Sequence, residues 1–126
     1  MIRGIGIDIV DTARMKKAVD RSAKVVNEIL TDAEIAALPN DDLSSDRFVE
    51  SLSARFAAKE AFAKSLGISM FTVGMHNIEI LKSGDVPILV INPDVIESQA
   101  LSNSSFHLSL THSAASAAAV VICEQE

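Results

Sequence analysis

Residues 54–67 read ARFAAKEAFAKSLG, and this run decides what kind of fold the chain can adopt. Alanine is the strongest helix former, and the glycine at 67 supplies a left-handed stop. Traced back from there, the helical pattern reaches Asp46, with Ser45 as its N-cap, so one long helix is predicted over 46–66. Its second half carries apolar residues around much of its circumference. A helix of that kind is packed from more than one side, and charged residues inside it need a reason.

Upstream, Thr31 is followed three residues later by Glu34, a capping-box signature for a short helix ending near Leu38 and Pro39. Asn40, Asp41 and Asp42 then make a loop. Residues 12–26 read as one amphipathic helix, with Met15, Val19 and Val26 on its apolar side. Arg14, Lys17, Arg21 and Lys24, spaced 3, 4 and 3 apart, form a basic stripe on another side. Residues 3–10 alternate strictly: Ile5, Ile7 and Ile9 share one strand face, and Gly4, Gly6 and Asp8 share the other. The glycine face is nearly bare, so another segment or a ligand can come close to Asp8.

Downstream the pattern turns to strands. Residues 77–81 and 86–91 flank a Ser83-Gly84-Asp85 turn, as in a hairpin. Asn92-Pro93-Asp94 opens a short helix with Pro at its first position. A polar turn at 102–105 precedes two last strands, 106–111 and 117–123. The 126 residues therefore read as one α+β domain, 1–126, without repeat or linker.

The net charge is −6, and only five residues are aromatic, all Phe, which argues against a nucleic-acid-binding domain. Cys123 is the single cysteine and sits in an apolar run, as a small buried hydrophobe does. No signal peptide or membrane span is legible, and a cytoplasmic protein is expected.

Three places hold side chains that can do chemistry. Asp8 serves either as a solvated edge residue or as a ligand to a cation. Glu60 and Lys64 lie one turn apart on the long helix, and such pairs are most often exposed ion pairs. Here the apolar setting demands water or a ligand nearby. Thr111, His112 and Ser113 end a strand with three hydrogen-bonding side chains, which suits a phosphate or an ordinary polar turn. His76 and His107 carry no such context. Together the residues suggest a cation between Asp8 and Glu60, with phosphates between Lys64 and His112. Two carboxylates with open positions suit Mg²⁺.

GIGIDIVD at residues 4–11, ARFAAKEAFAKSLG at 54–67 and HLSLTHS at 107–113, in this order, resemble the holo-acyl-carrier-protein synthase family. These are the small members of the 4′-phosphopantetheinyl transferases, and the resemblance runs from Met1 to Ile122. It implies an α+β fold with a long central helix on a small, mostly antiparallel sheet. It implies transfer of the phosphopantetheine arm of coenzyme A to a serine of an acyl carrier protein. Asp8 and Glu60 match the metal-binding acids, Lys64 the lysine on the coenzyme A phosphates, and Thr111, His112 and Ser113 a coenzyme A-contacting segment. Glu60 is also the first candidate to accept the serine proton, directly or through a water. A homotrimer with interfacial sites is implied, and so is docking of the acidic carrier on the first helix, where Arg14, Lys17, Arg21 and Lys24 supply the complementary charge. Two departures stand out. Ala54 replaces a common glycine, and the 83–87 loop is one residue longer than the usual form and lacks its lysine, which bears on coenzyme A contacts there.

A pyrophosphohydrolase with a similar site, or a non-catalytic domain that holds coenzyme A or a carrier protein, would share part of this pattern. The first needs no basic docking helix. The second needs no Asp8, Glu60 and Lys64 together.

Overall fold

Gly4 and Gly6 let a helix lie directly on a strand. In the computed structural model, which describes residues 1–38, 43 and 45–126, the first strand β1 (Ile2–Asp11) crosses the long helix α4 (Asp46–Leu66). A Cβ on Gly4 would stand 1.9 Å from the Ser65 carbonyl oxygen, and one on Gly6 1.8 Å from that of Ala61. No side chain fits there. The bare face of the alternating strand is thus the inward one, and the isoleucine face points away from the core.

Between β1 and α4 come α1 (Thr12–Arg21), α2 (Lys24–Ile29) and α3 (Asp32–Ala37). The single helix expected over 12–26 is in fact two. Ser22 adopts an extended conformation at φ −156° and ends α1, its amide still donating to the Ala18 carbonyl. Met15 and Val19 on α1 and Val26 on α2 all reach one core, against Phe48, Val49 and Leu52 of α4. The break therefore redirects the chain without exposing apolar surface. Asp11 caps α1 through Oδ1, which accepts from the amides of Ala13 at 2.9 Å and Arg14 at 3.3 Å. The capping box at Thr31 and Glu34 forms as expected. The loop expected at Asn40, Asp41 and Asp42 lies outside the described residues.

α4 begins on the Ser45 cap and stops at Gly67, which is left-handed at φ 71°. Next come α5 (Met70–Val73) and a 3₁₀ turn (Met75–Asn77), neither marked by a sequence signal. The hairpin β2 (Ile78–Ser83) and β3 (Val86–Ile91) turns at Gly84, φ 64°. The short helix α6 (Pro93–Ser98) leads to β4 (Ser104–His112) and β5 (Ser116–Gln125). β5 lies between β1 and β4 in a three-stranded antiparallel sheet, with Ile7 opposite Val120 and His112 opposite Ala117. The inner face of that sheet, with Ala119, Val121 and Phe106, packs on the Ala57–Ala63 stretch of α4, where the Phe62 and Phe106 rings lie 5.0 Å apart. β2 supplies Ile78 and Ile80 to the same core. The small side chains of α4 are what allow layers to approach it closely on more than one side.

Candidate active site

The close β1–α4 contact brings Asp8 to the C-terminal half of α4, beside Glu60 and Lys64. Lys64 Nζ donates to Asp8 Oδ1 at 3.0 Å and to the Ile7 carbonyl at 3.0 Å. The Asp8 side chain is 17% exposed and Lys64 53%, so the carboxylate is recessed and the ammonium reaches in from solvent. Glu60, one turn earlier and half-buried, sits beside this pair. Burial raises the pKa of its carboxyl, the negative charge of Asp8 raises it further, and Lys64 opposes both. Two carboxyls that repel each other at the foot of a groove are a natural place for a divalent cation. Among the described residues no group of three or more His, Cys, Asp or Glu is poised for a metal. A donor set of two carboxylates matches an ion that keeps open positions for water and substrate oxygens, as Mg²⁺ does.

A groove of about 350 Å³ opens from this pair towards α1, walled by Asp8, Asp11, Arg14, Met15, Phe56 and Glu60. Arg14 thus stands at the rim of the carboxylate site, held there because Asp11 fixes the first turn of α1. Lys17 and Arg21 are exposed on the same helix, while Lys24 belongs to α2 and is exposed there. The stripe read from spacing is split between two helices.

Thr111, His112 and Ser113 are brought together at the end of β4, but not beside Lys64. His112 Nδ1 lies 3.6 Å from Glu50 Oε2, near the start of α4. Glu50 precedes Glu60 by nearly three helical turns, about 15 Å along the axis. The β4–β5 turn is tied to α1: Thr12 Oγ1 donates to the Ala114 carbonyl at 2.9 Å, and the Thr12 amide to that of Ala115 at 3.1 Å. Within one chain the two halves of the expected phosphate site are held apart.

Sequence reasoning missed a second charged cluster. Lys59 and Glu34 are both fully buried, with Lys59 Nζ 2.6 Å from Glu34 Oε1. The ammonium also donates to the carbonyls of Ile29 at 2.6 Å and Met75 at 2.9 Å, so its three protons are all used. Glu34 Oε2 accepts from the Ile80 amide at 3.0 Å, and Arg55 Nε lies 4.0 Å away. Burial lowers the Lys59 pKa, and Glu34 counters it. The signal was present in the charges inside an alanine-rich helix. Its partner, 25 residues upstream, was not legible.

The model of the 4′-phosphopantetheinyl transferase superfamily matches residues 4–122. A holo-[acyl-carrier-protein] synthase of Anoxybacillus flavithermus is 40% identical over 99% of this chain and 98% of its own length. The chain belongs to the holo-acyl-carrier-protein synthase family. Two solved structures of such synthases agree with this. That from Bacillus anthracis, in complex with CoA (3′,5′-ADP), superposes with a TM-score of 0.84 at 33% identity, covering 100% of this chain and 99% of the other. That from Neisseria meningitidis gives 0.85 at 31%, covering 99% and 100%. The α+β fold and the synthase family expected from the three motifs are both borne out.

Proposed function

We propose that this chain transfers the 4′-phosphopantetheine arm of coenzyme A to a serine of an apo acyl carrier protein, releasing adenosine 3′,5′-bisphosphate. The observation that carries it is the Asp8–Glu60 carboxylate pair beside Lys64, in a chain matched almost end to end by the transferase superfamily. Asp8 and Glu60 are the residues to hold Mg²⁺, which when bound supplies positive charge to the pyrophosphate oxygens and the departing bisphosphate. Lys64 adds a fixed ammonium to the same oxygens. The serine oxygen forms its bond to the phosphorus bearing pantetheine, and the bond from that phosphorus to the bisphosphate oxygen breaks. The serine proton passes to Glu60, directly or through a water; holding the cation would lower the basicity of the carboxylate, which favours the route through a water.

Asp8→Asn should lower transfer by about 10²- to 10³-fold, as loss of one preorganised charge at a phosphoryl centre does. The thermal midpoint should barely move, because among the described residues the side chain bonded to Asp8 is the half-exposed Lys64. Steady-state assays beside a melting curve check both halves. Glu60→Gln retaining substantial turnover would remove Glu60 from the proton-accepting role.

Carrier docking on α1 follows from Arg14 at the rim of the groove, with Lys17 and Arg21 along the same helix and Lys24 beyond it. Arg14→Glu together with Arg21→Glu should raise KM for the acidic carrier at least about tenfold, flatten its salt dependence and leave KM for coenzyme A unchanged.

Ile5, Ile7 and Ile9 are 59%, 67% and 71% exposed on a face that Val120 and Ile122 extend. Such a patch calls for a partner surface. A homotrimer supplies one, and it would let Thr111, His112 and Ser113 of a neighbouring copy complete the phosphate site that one chain leaves open. Ile7→Lys should convert the assembly to monomers by analytical ultracentrifugation and abolish transfer, while each chain stays folded. A trimer that persists with full activity refutes this. No helix among the described residues is long and apolar enough to cross a membrane, and the one cysteine is buried and free. A cytoplasmic enzyme is consistent with both.

The deciding experiment is intact mass spectrometry of an apo carrier protein incubated with coenzyme A, Mg²⁺ and this protein. A gain of one phosphopantetheine arm, lost on chelation, is expected. Coenzyme A consumed without gain in carrier mass would point to hydrolysis instead.

A further inference from the structure

Lys64 enters the carboxylate site as a cation in its own right. Its ammonium is held by two acceptors, Asp8 Oδ1 at 3.0 Å and the Ile7 carbonyl at 3.0 Å, so it is fixed on β1. The charges of Asp8 and Lys64 both reach Glu60, one turn earlier on α4. The three groups together carry one net negative charge, where the two carboxylates alone would carry two. An oxygen of one expected cation ligand is thus already engaged by a single positive charge.

That engagement can be undone. The Lys64 side chain is 53% exposed against 17% for Asp8, so the flexible lysine stem can swing while the carboxylate stays recessed. Ammonium and divalent cation compete for the same negative charge. The ammonium competes at a fixed effective concentration, because it is tethered beside the site. A pyrophosphate brings negative charge of its own and several acceptor oxygens. It draws the ammonium off Asp8 and leaves that carboxylate to the cation. By linkage, the cation must then strengthen phosphate binding by the same factor.

We propose that Lys64 is a tethered counter-ion of Asp8, which holds down the cation affinity of the free protein and releases the carboxylate when the donor phosphates arrive. The proposal rests on the transferase reading of the Asp8–Glu60 site and adds to it a coupling: cation and donor bind together more readily than either binds alone.

Titration of Mn²⁺ into the assembled protein, followed by the spin-resonance signal of the free ion, reads this without carrier or turnover. Lys64→Met should bind Mn²⁺ about tenfold more tightly than the wild type, because the competing charge is gone. Lys64→Arg keeps that charge and should stay within about threefold of the wild type. Lys82→Met, at an exposed position of the β2–β3 hairpin, changes net charge equally and should stay within about twofold. The factor by which saturating coenzyme A tightens Mn²⁺ should fall about tenfold in Lys64→Met. Lys64 is half-exposed, so its replacement leaves the fold intact, as a melting curve checks. Mn²⁺ binding no tighter in Lys64→Met than in the wild type overturns the proposal, and so does an unchanged coenzyme A factor. Carrier modification that is lost on chelation would leave the transferase reading standing in either case. Tighter Mn²⁺ in Lys64→Met from a protein that modifies no carrier would instead strike at the transferase reading and keep the counter-ion.

Discussion

Lys59→Met destabilises the fold by about 3–5 kcal/mol, read from denaturant midpoints, although methionine fills nearly the same volume. The loss comes from what remains. Glu34 stays fully buried without the ammonium 2.6 Å away, and the carbonyls of Ile29 and Met75 lose their donor. Arg55 Nε, at 4.0 Å, is too far to replace it without movement of α4. Removing both charges, in Lys59→Met with Glu34→Gln, should recover part of the loss, because the penalty lies in the unpaired charge more than in the missing pair. Glu34→Gln alone has a pH signature. Without the Glu34 charge only the weaker pull of Glu79 offsets the burial that lowers the Lys59 pKa, so the folded value falls further below the 10.5 of the unfolded chain. Between the two values the unfolded chain holds a proton that the folded one has lost, so stability rises with pH across that window. Below the folded value Lys59 is protonated in both states and contributes no slope. The window should open at lower pH in Glu34→Gln than in the wild type, as melting temperatures across neutral to alkaline pH can establish.

Gly6→Ala should cost at least about 3 kcal/mol, an unusual amount for one added methyl. The new Cβ would meet the Ala61 oxygen at 1.8 Å and the Ser65 amide nitrogen at 2.7 Å, both backbone atoms of α4. Neither can retreat, because Ala58, Ala61 and Phe62 are fully buried in the core that includes Ile78 and Ile80 of β2. Relief must come from β1 lifting away, which draws Asp8, two residues on, from Lys64 and Glu60. Loss of transfer should accompany the loss of stability. Ile5→Ala on the same strand is the control: its side chain points outward, and the monomer fold should lose less than about 1 kcal/mol. Equal effects of the two substitutions would mean that β1 does not rest on α4 by its glycine face.

Much of the fold could be read locally. The Ser45 and Gly67 ends of α4, the Thr31–Glu34 box, the Gly84 hairpin and the Asn92-Pro93 helix start all depend on contacts within a few residues, which a linear pattern records. The break at Ser22 was not legible, since the apolar spacing of Met15, Val19 and Val26 fits one helix as well as two that share a core. The same limit applied to β1. Alternation separates the isoleucine face from the glycine face, but which one is buried depends on whether an incoming helix is smooth enough to meet bare backbone. The alanines of α4 are what make it so.

The candidate site divides in the same way. The motifs around Asp8, Glu60 and Lys64, with the His112 segment, were enough by themselves to indicate the family. Residue types in order carry that much. Tertiary structure alone decided that Lys64 reaches Asp8, that His112 faces Glu50 at the other end of the helix, and that a buried Lys59–Glu34 pair locks α4 to its neighbours. Each of these joins residues far apart in sequence, and the energies that fix them come from burial and charge pairing. Neither quantity exists until the chain has closed on itself.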